Sequence, residues 1–308
     1  MYDIVIIGAG PAGLTSGLYA ARYKLNTIIL EKMVPGGQIM LSERIENFPG
    51  FPGGIYTYEL IERIKKQLDE LGVVIETEEA LDIIPSDNIQ EPVYSVVGKY
   101  KSYQTKTIII STGGTWKKLG VKGEERFLAR GVSYCGTCDG PLFKEKDVVV
   151  VGGGNSAIEE AIFLSRYASK VMVVHRRQQL RASEILQEQA LRNPKISFIL
   201  DSVIEEITGE NKVEGVKIKN VKTNQLSDLS CQGVFIFVGI EPNTGFVKKV
   251  LNTDEGGFII TAQDLSTSRP GIYACGDCIK KSLYQVINAC GEGAVASDSA
   301  HKYILNKK

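Results

Sequence analysis

The 308-residue sequence has no excess of charge of either sign. Lysine plus arginine and aspartate plus glutamate each number 36. Overall charge therefore does not attract the chain to nucleic acid or to an anionic membrane surface, and we expect neither as a partner. Any site for an anion has to be local.

Long apolar stretches are also absent. No apolar run approaches the ~20 residues that span a bilayer, and the opening MYDIVIIGAG lacks the basic and long apolar regions of a secretory signal. We therefore expect a cytoplasmic protein. With 43% hydrophobic and 23% charged residues, the chain is long enough for two compact domains.

Cysteine is scarce, since six cysteines in 308 residues are too few for a disulfide scaffold. Two of them, Cys135 and Cys138, lie three positions apart in SYCGTCDGPLF. On spacing alone, such a pair can close a small disulfide ring, form half of a zinc site, or stay buried and unreactive. In a reducing compartment a persistent disulfide is catalytic rather than structural, which favours a redox role.

Two segments of the chain repeat one design. DIVIIGAGPAG and DVVVVGGGNSA each read as an apolar strand, a glycine turn and the start of a helix, at a constant offset of 144 residues. In such turns the first glycine allows the tight turn, the second admits a pyrophosphate, and the third small residue lets helix and strand pack closely. We therefore predict two dinucleotide sites. Their small residues are Gly8, Gly10 and Gly13 in the first copy, and Gly152, Gly154 and Ala157 in the second.

The two copies differ where the second strand of each unit ends. In the first copy Glu31 lies 18 residues after the third glycine, where a carboxylate bonds ribose hydroxyls and repels a 2′-phosphate. In the second copy the same place is His175, followed by Arg176, Arg177 and Arg181. Guanidinium groups bind phosphate through charge and a forked geometry. We therefore expect FAD in the first copy and NADPH in the second; a solvated basic surface is the alternative.

Further segments complete the first site. PGGQI and ENFPGF read as loops whose amides can reach a flavin, and TKTIIISTGG reads as a buried strand ending in glycines. Near the end of the chain, RPGIYACGDC reads as a strand that delivers Asp277 to a glycine turn, and YQVINACGEGAVASDSAHKYI reads as a helix. Asp277 can bond a ribityl hydroxyl or can cap that helix.

This order predicts an α/β fold of two Rossmann-like domains, each of the three-layer ββα type, with the second inserted into the first. We expect an FAD-binding domain over residues 1–114 and 245–308, and an NADPH-binding domain over residues 115–244. The boundaries fall near TGGTWKK and VGIEPNTG, so two strands connect the domains.

The chain resembles the low-molecular-weight thioredoxin reductases over essentially its whole length. The resemblance rests on the ordered motifs GAGPAG, PGGQ, ENFPGF, STGG, CGTCDG, GGGNSA, HRRQQLR, GIEPNTG and YACGDC. It implies a homodimeric flavoenzyme that passes electrons from NADPH through FAD and the Cys135–Cys138 disulfide to thioredoxin. It also implies that Cys138 faces the flavin and that Cys135 attacks the substrate disulfide.

Thiol exchange needs an acid to protonate the leaving thiolate. The chain has only two histidines, so Asp139 beside Cys138 is the candidate; a turn-forming aspartate before a glycine is the alternative reading. The cysteine pair and the nicotinamide site belong to one predicted domain, yet both need the flavin. We therefore expect the two domains to rotate between two states.

Three features depart from the family pattern. Gly136 stands where the family usually has a small side chain, Tyr284 stands where it often has arginine, and Cys275 and Cys278 form a second C-x-x-C. Two such pairs are also compatible with a structural zinc site. Among enzymes, the alternative is a flavin-dependent dithiol oxidase, or a reductase of another small disulfide protein; an oxidase would not need the arginine cluster.

The candidate residues fall into three groups, and no metal ligand is expected. The catalytic candidates are Cys135, Cys138 and Asp139. The candidates for FAD are Gly8, Gly10, Gly13, Glu31, Lys32, Gly36, Gly37, Gln38, Asn47, Thr112, Gly113, Asp277, Gln285 and Val286. The candidates for NADPH are Gly152, Gly154, Asn155, Ser156, Ala157, His175, Arg176, Arg177 and Arg181.

Overall fold

The computed structural model describes residues 1–41, 44–86 and 93–307. The chain forms two compact units: unit 1 comprises Met1–Thr115 and Glu241–Lys308, and unit 2 comprises Trp116–Ile240. The strands are β1 (Tyr2–Ile7), β2 (Thr27–Glu31), β3 (Arg44–Ile45), β4 (Ile55–Tyr56), β5 (Val74–Thr77), β6 (Ala80–Pro85), β7 (Tyr94–Gly98), β8 (Ser102–Ile110), β9 (Gly114–Trp116), β10 (Val132–Ser133), β11 (Asp147–Val151), β12 (Lys170–Val174), β13 (Ile196–Ile199), β14 (Ser202–Thr208), β15 (Gly215–Asn220), β16 (Leu226–Ser230), β17 (Gly233–Ile236), β18 (Ile240–Pro242) and β19 (Ile272–Ala274).

Two of the helices begin directly after a glycine, at Gly10 and at Gly154. The helices are α1 (Pro11–Arg22), α2 (Thr57–Glu70), α3 (Gly136–Asp139), α4 (Asn155–Leu164), α5 (Glu184–Leu191) and α6 (Val286–Leu305). Short 3-10 segments lie at Gly37–Leu41, Gly140–Phe143, Gly245–Val247 and Gly276–Cys278. None of the helices in these ranges combines the length and the apolar composition needed to cross a membrane.

Unit 1 is built on a seven-stranded sheet with the order β5-β2-β1-β8-β7-β6, in which β19 also pairs with β8. β5, β2, β1, β8 and β19 are parallel, whereas β7 and β6 are antiparallel to their neighbours. The long strand β8 pairs with β7 through its first half and with β19 through its second half. The apolar runs of β1, β2 and β8 are almost completely buried, as a parallel sheet covered on both faces requires.

Helices α1 and α6 of unit 1 pack closely because small residues line their contact. A Cβ atom added to Gly293 would lie 2.3 Å from the carbonyl oxygen of Ala12. The Ser16 hydroxyl donates to the carbonyl of Gly293 at 3.1 Å, and the Ser297 hydroxyl donates to the carbonyl of Ser16 at 2.6 Å. This contact joins the first and last helices of the chain.

Unit 2 has a five-stranded parallel sheet with the order β10-β17-β11-β12-β13 and a three-stranded antiparallel sheet with the order β14-β15-β16. The valines of β11 alternate between two cores, as the period of a strand dictates. Val148 and Val150 pack with the apolar side of α4, whereas Val149 and Val151 pack with residues of the three-stranded sheet. Helix, parallel sheet and antiparallel sheet therefore form three layers.

The α1–α6 contact gives a test of fold stability. We expect Gly293→Ala to destabilise the FAD-loaded protein by about 1–3 kcal/mol, because the new methyl group overlaps the Ala12 carbonyl. Gly291→Ala is the matched control in the same helix, since nothing lies within 4 Å of its added Cβ. Thermal unfolding should show the control unchanged or slightly stabilised. Equal melting temperatures for the two variants would contradict this account of the packing.

Candidate functional site

The first glycine turn joins β1 to α1 and has the geometry of a dinucleotide turn. Gly8 has φ +103°, which favours glycine, and a Cβ added to Gly13 would lie 1.9 Å from the Gly8 carbonyl oxygen. Around Gly10, by contrast, an added Cβ would meet nothing within 4 Å. The turn therefore has two glycines required by packing and one that faces open space, as room for a pyrophosphate requires.

Glu31 ends β2 beside this turn. Its carboxylate accepts from the backbone N–H of Ala9 at 2.8 Å and from that of Met33 at 3.0 Å. Lys32, the next residue, is exposed. A pocket opens here at the carboxyl ends of the strands; its lining residues are Ile7, Gly8, Leu30, Glu31, Lys32, Glu78, Glu79, Ala80, Thr112, Asn243 and Phe246.

The loop after β2 folds back onto the same turn. The backbone N–H of Gly36 donates to the carbonyl of Ala9 at 2.8 Å, and a Cβ on Gly37 would lie 3.3 Å from Cα of Gly10. The Oε1 atom of Gln38 is buried and accepts no hydrogen bond within the described ranges. A buried amide oxygen of this kind normally has a donor, so the loop has the chemistry to receive a ligand.

The remaining unit 1 candidates lie around the end of β8 and the start of α6. Asn47 donates through Nδ2 to Oε1 of Gln285 at 2.9 Å, and α6 begins at the next residue, Val286. The Thr112 hydroxyl donates to the carbonyl of Asn243 at 2.8 Å. Gly113 follows with φ +65°.

Asp277 follows β19 and forms an ion pair that the sequence did not reveal. Its Oδ1 lies 3.0 Å from Nζ of Lys281, which also donates to Oε2 of Glu292 at 2.8 Å. The same Glu292 oxygen accepts from the backbone N–H of Gly276 at 2.8 Å. Burial lowers the pKa of Lys281, but the two carboxylates outweigh it and raise that pKa overall. Asp277 is thus held by a buried lysine that Glu292 positions.

The second glycine turn joins β11 to α4 in unit 2. Gly152 has φ +149°, and its added Cβ would lie 2.6 Å from the carbonyl oxygen of Phe237 and 2.7 Å from Cβ of Ala157. Gly154, like Gly10, faces open space. Asn155 and Ser156 are exposed at the start of α4, where Oδ1 of Asn155 accepts from a loop N–H at 2.9 Å.

His175 is buried, with 5% of its surface exposed. Its ring packs against the glycine turn, so a Cβ on Gly153 would lie 2.4 Å from Cε1. Burial lowers the pKa of His175, and the neighbouring arginines lower it further, although a backbone hydrogen bond opposes them. The ring is therefore neutral at physiological pH and supports the turn by packing rather than by charge.

The three arginines after β12 are exposed, and no ion pair involving them occurs within the described ranges. The backbone N–H of Arg181 donates to the carbonyl of Gly153 at 2.6 Å. The segment that carries Arg176, Arg177 and Arg181 is therefore tied to the second glycine turn. Their guanidinium groups remain available for an anion close to that turn.

Cys135 and Cys138 are joined in a disulfide, with their Cα atoms 5.3 Å apart. Both cysteines are half-buried in unit 2, where α3 begins after Cys135. The backbone N–H of Cys138 donates to Sγ of Cys135 at 3.2 Å. The described residues contain no group of three or more histidine, cysteine, aspartate or glutamate side chains able to hold a metal.

Asp139 lies in the turn that carries the disulfide. Burial raises the pKa of its carboxyl, and a hydrogen bond from Ser133 partly opposes that shift. The Ser133 hydroxyl donates to Oδ2 of Asp139 at 2.5 Å and accepts from the backbone N–H of Cys135 at 3.0 Å. Sequence reasoning identified Asp139 but missed Ser133, because nothing in SYCGTC marks a serine two positions before a cysteine as its partner.

Comparison with known proteins identifies the family. The model of the pyridine nucleotide-disulphide oxidoreductases matches residues 2–293. A thioredoxin reductase from Listeria monocytogenes is 41% identical over 100% of this chain and 95% of its own length, and one from Treponema pallidum is 41% identical over 98% and 97%. The chain belongs to the thioredoxin reductases of this family.

Solved structures agree with that assignment. The thioredoxin reductase from Streptococcus pyogenes is 46% identical, with a TM-score of 0.92 over 99% of each chain. The one from Giardia duodenalis is 35% identical, with a TM-score of 0.91 over 99% of each chain. The predicted fold class and the predicted family are both confirmed. FAD and NADPH are the cofactors of this family.

The other four cysteines are free thiols, and three of them are buried: Cys231, Cys275 and Cys278. Burial raises the pKa of Cys231 and of Cys278 to about 12, and it raises the pKa of Cys275 as well. The Cys278 thiol lies 3.1 Å from the carbonyl oxygen of Cys275. Cys275 and Cys278 of the second C-x-x-C therefore have the properties of buried core residues, not of a reactive pair.

This burial predicts the thiol count of the oxidised protein. Ellman's reagent at pH 8 should leave Cys231, Cys275 and Cys278 unreacted in the native state, because each is inaccessible and protonated. Of the four free thiols, only the half-buried Cys290 should react in the native state, and it should react slowly. All four should react after denaturation, and fast reaction of three thiols in the native protein would contradict the assignment.

Proposed function

We propose that this chain passes electrons from NADPH, through FAD and the Cys135–Cys138 pair, to the disulfide of thioredoxin. The observation that carries the proposal is the disulfide itself. It lies beside the buried acid Asp139, in a unit that also has a nucleotide-type glycine turn. The exposed arginine cluster supports NADPH as the electron source, which a dithiol oxidase would not need.

Unit 1 holds FAD in this proposal. Gly10 would leave room for the pyrophosphate, Glu31 would accept from the ribose, and the loop of Gly36 and Gly37 would contact the cofactor together with Gln38. Asp277, kept in place by Lys281, accepts from a ribityl hydroxyl. Bound FAD supplies the chemistry that turns a hydride from NADPH into two electrons for a disulfide.

Unit 2 holds NADPH. Gly154 at the start of α4 would leave room for its pyrophosphate, and Arg176, Arg177 and Arg181 would bind the 2′-phosphate. Glu31 and the arginines thus account for the choice of cofactor in each unit, because a carboxylate repels the phosphate that guanidinium groups attract. His175 takes part only by supporting the glycine turn.

In the thiol exchange, Cys135 attacks the substrate disulfide and Cys138 is the flavin-side thiol. The N–H of Cys138 points to Sγ of Cys135, and a donor of this kind stabilises a thiolate. Asp139 is the candidate to give the leaving thiolate its proton, since burial raises the pKa of its carboxyl group. Ser133 keeps Asp139 and the backbone of Cys135 together.

The remaining expectations concern assembly and location. We propose a homodimer, as the family resemblance implies, and exposed apolar side chains such as Met33, Val34 and Met40 are of the kind that a partner subunit covers. The four free thiols suit a reducing compartment such as the cytoplasm. Balanced charge supports the absence of a nucleic-acid partner. The rotation of the two domains stays a prediction.

Separate serine variants of the two redox cysteines test the proposal. Cys135→Ser and Cys138→Ser should both lose thioredoxin reduction, because neither can close the disulfide. Both should keep the bleaching of the flavin spectrum by NADPH, which does not require the pair. Cys290→Ser is the control and should reduce thioredoxin normally. A variant of either redox cysteine that reduces thioredoxin at the wild-type rate would remove this pair from the reaction.

The arginine cluster predicts cofactor preference. Arg176→Ala combined with Arg177→Ala should weaken NADPH binding about ten- to a hundredfold, since charge-assisted contacts to a phosphate contribute about 1.5–3 kcal/mol. The KM for NADH should change little. Arg192→Ala, an exposed arginine elsewhere in unit 2, is the control. Unchanged steady-state kinetics with NADPH in the double variant would place the 2′-phosphate elsewhere.

A further inference from the structure

Glu160 on α4 lies directly beneath the redox turn. A Cβ atom added to Gly136 would lie 2.1 Å from its Oε2, and the Thr137 hydroxyl donates to its Oε1 at 3.4 Å. Gly136 and Thr137 are the two residues between the redox cysteines. The carboxyl group therefore contacts the turn between the two cysteines, and the absence of a side chain at position 136 leaves room for it.

This carboxyl group has no neutralising partner in its surroundings. Oε2 is buried without a hydrogen bond, and no ion pair to Glu160 occurs within residues 1–41, 44–86 and 93–307. Burial raises the pKa of Glu160 to about 7; the nearby Glu159 raises it further, whereas hydrogen bonds from Thr137 lower it.

Other charged groups lie on the elements packed against Glu160, but none compensates for its charge. On α3 the Asp139 carboxyl accepts from Ser133 instead. The remaining ionisable side chains on the neighbouring helix and strands do not shift the pKa of Glu160. They are Glu184 and Glu188 on α5, Asp147 on β11 and Lys170 on β12.

Reduction of the disulfide produces a negative charge in the turn that lies against the Glu160 carboxyl group. The disulfide takes up two electrons, which NADPH supplies, and one proton; the S–S bond breaks to give one thiol and one thiolate. A neutral Glu160 leaves the thiolate undisturbed. An ionised Glu160 adds a like charge next to the turn that carries the thiolate, where its Oε2 is buried, and so disfavours the thiolate.

We propose that Glu160 is a positioning residue for the Cys135–Cys138 pair: its neutral acid supports the turn through Gly136 and Thr137, and its ionisation suppresses the reactive thiolate. The inference rests on the redox role proposed for the pair. It assigns to Glu160 an effect on thiol reactivity that depends on pH, which a purely structural side chain would not have.

The first experiment measures thiol reactivity without turnover. The FAD-loaded protein is reduced with dithiothreitol, freed of reductant, and alkylated with iodoacetamide between pH 6 and 9; mass spectrometry follows the peptide of residues 131–144. At pH 8.5 we expect alkylation in Glu160→Gln to be roughly three- to tenfold faster than in the wild type. At pH 6 the two rates should agree, because Glu160 is then neutral. Glu188→Gln, an exposed carboxylate of the same unit, should follow the wild type.

A second variant changes Gly136, which lies against the same carboxyl group. The methyl group of Gly136→Ala overlaps Oε2 and should displace the carboxyl toward water, so that it ionises at a lower pH. Alkylation near pH 7 should then be slower than in the wild type. In Gly136→Ala combined with Glu160→Gln this slowing should disappear, because no charge remains to be displaced.

Three results would overturn the proposal. The first is identical pH profiles for the wild type and Glu160→Gln, and the second is a difference between them that is the same at every pH. The third is that the effects of the Gly136 and Glu160 changes simply add. Because the pair is reduced chemically, failure of NADPH to reduce thioredoxin would refute the proposed function and leave the thiol measurement standing.

Discussion

The close approach of the Gly13 backbone to the Gly8 carbonyl oxygen is the constraint on which unit 1 depends. A single Cβ atom at Gly13 would come within 1.9 Å of that oxygen. Since there is none, α1 starts immediately beside the end of β1, and open space lies next to Gly10 at the start of this helix. The same approach brings Ala9 into contact with Glu31 and Gly36. The cofactor-side geometry of the unit therefore follows from one absent side chain.

The sequence allowed prediction of the features that local spacing determines. The constant offset between the two glycine turns indicated two Rossmann-like domains, and that fold class is confirmed. Glu31 and the arginines could be assigned because a parallel strand delivers its last residue to a known place relative to the turn. His175 shows where this reasoning ends: it occupies the register position of Glu31, yet its ring is buried against Gly153. The register of a strand predicts where the backbone of a residue lies, whereas the burial of its side chain decides which contacts that side chain can make.

Ser133 and Lys281 contact partners that are close in the sequence but that no motif marks, whereas Glu292 and Glu160 act through contacts between separate elements. Lys281 reaches Asp277 from the segment that follows, and Glu292 reaches Lys281 from the second turn of α6. Glu160 reaches the cysteine pair only because α3 and α4 pack together. The two units also differ in what surrounds their acidic side chains. In unit 1 Asp277 and Glu292 share a buried lysine, whereas in the described part of unit 2 no cation pairs with Asp139 or Glu160 and burial raises the pKa of both carboxyl groups. The first arrangement suits holding a hydroxyl, and the second suits handling a proton.

The pairing of β19 with β8 has a consequence for biosynthesis. A ribosome makes β8 about a third of the way along these 308 residues, but it makes β19 and α6 only after all of unit 2. Unit 2 is contiguous, so all of its strands are available as soon as residue 240 has left the exit tunnel. Unit 1 keeps an open edge on β8 and an uncovered face on α1 until β19 and α6 have been made. The inserted unit can therefore fold first, and the nascent unit 1 is the part of the chain most exposed to aggregation and to chaperones.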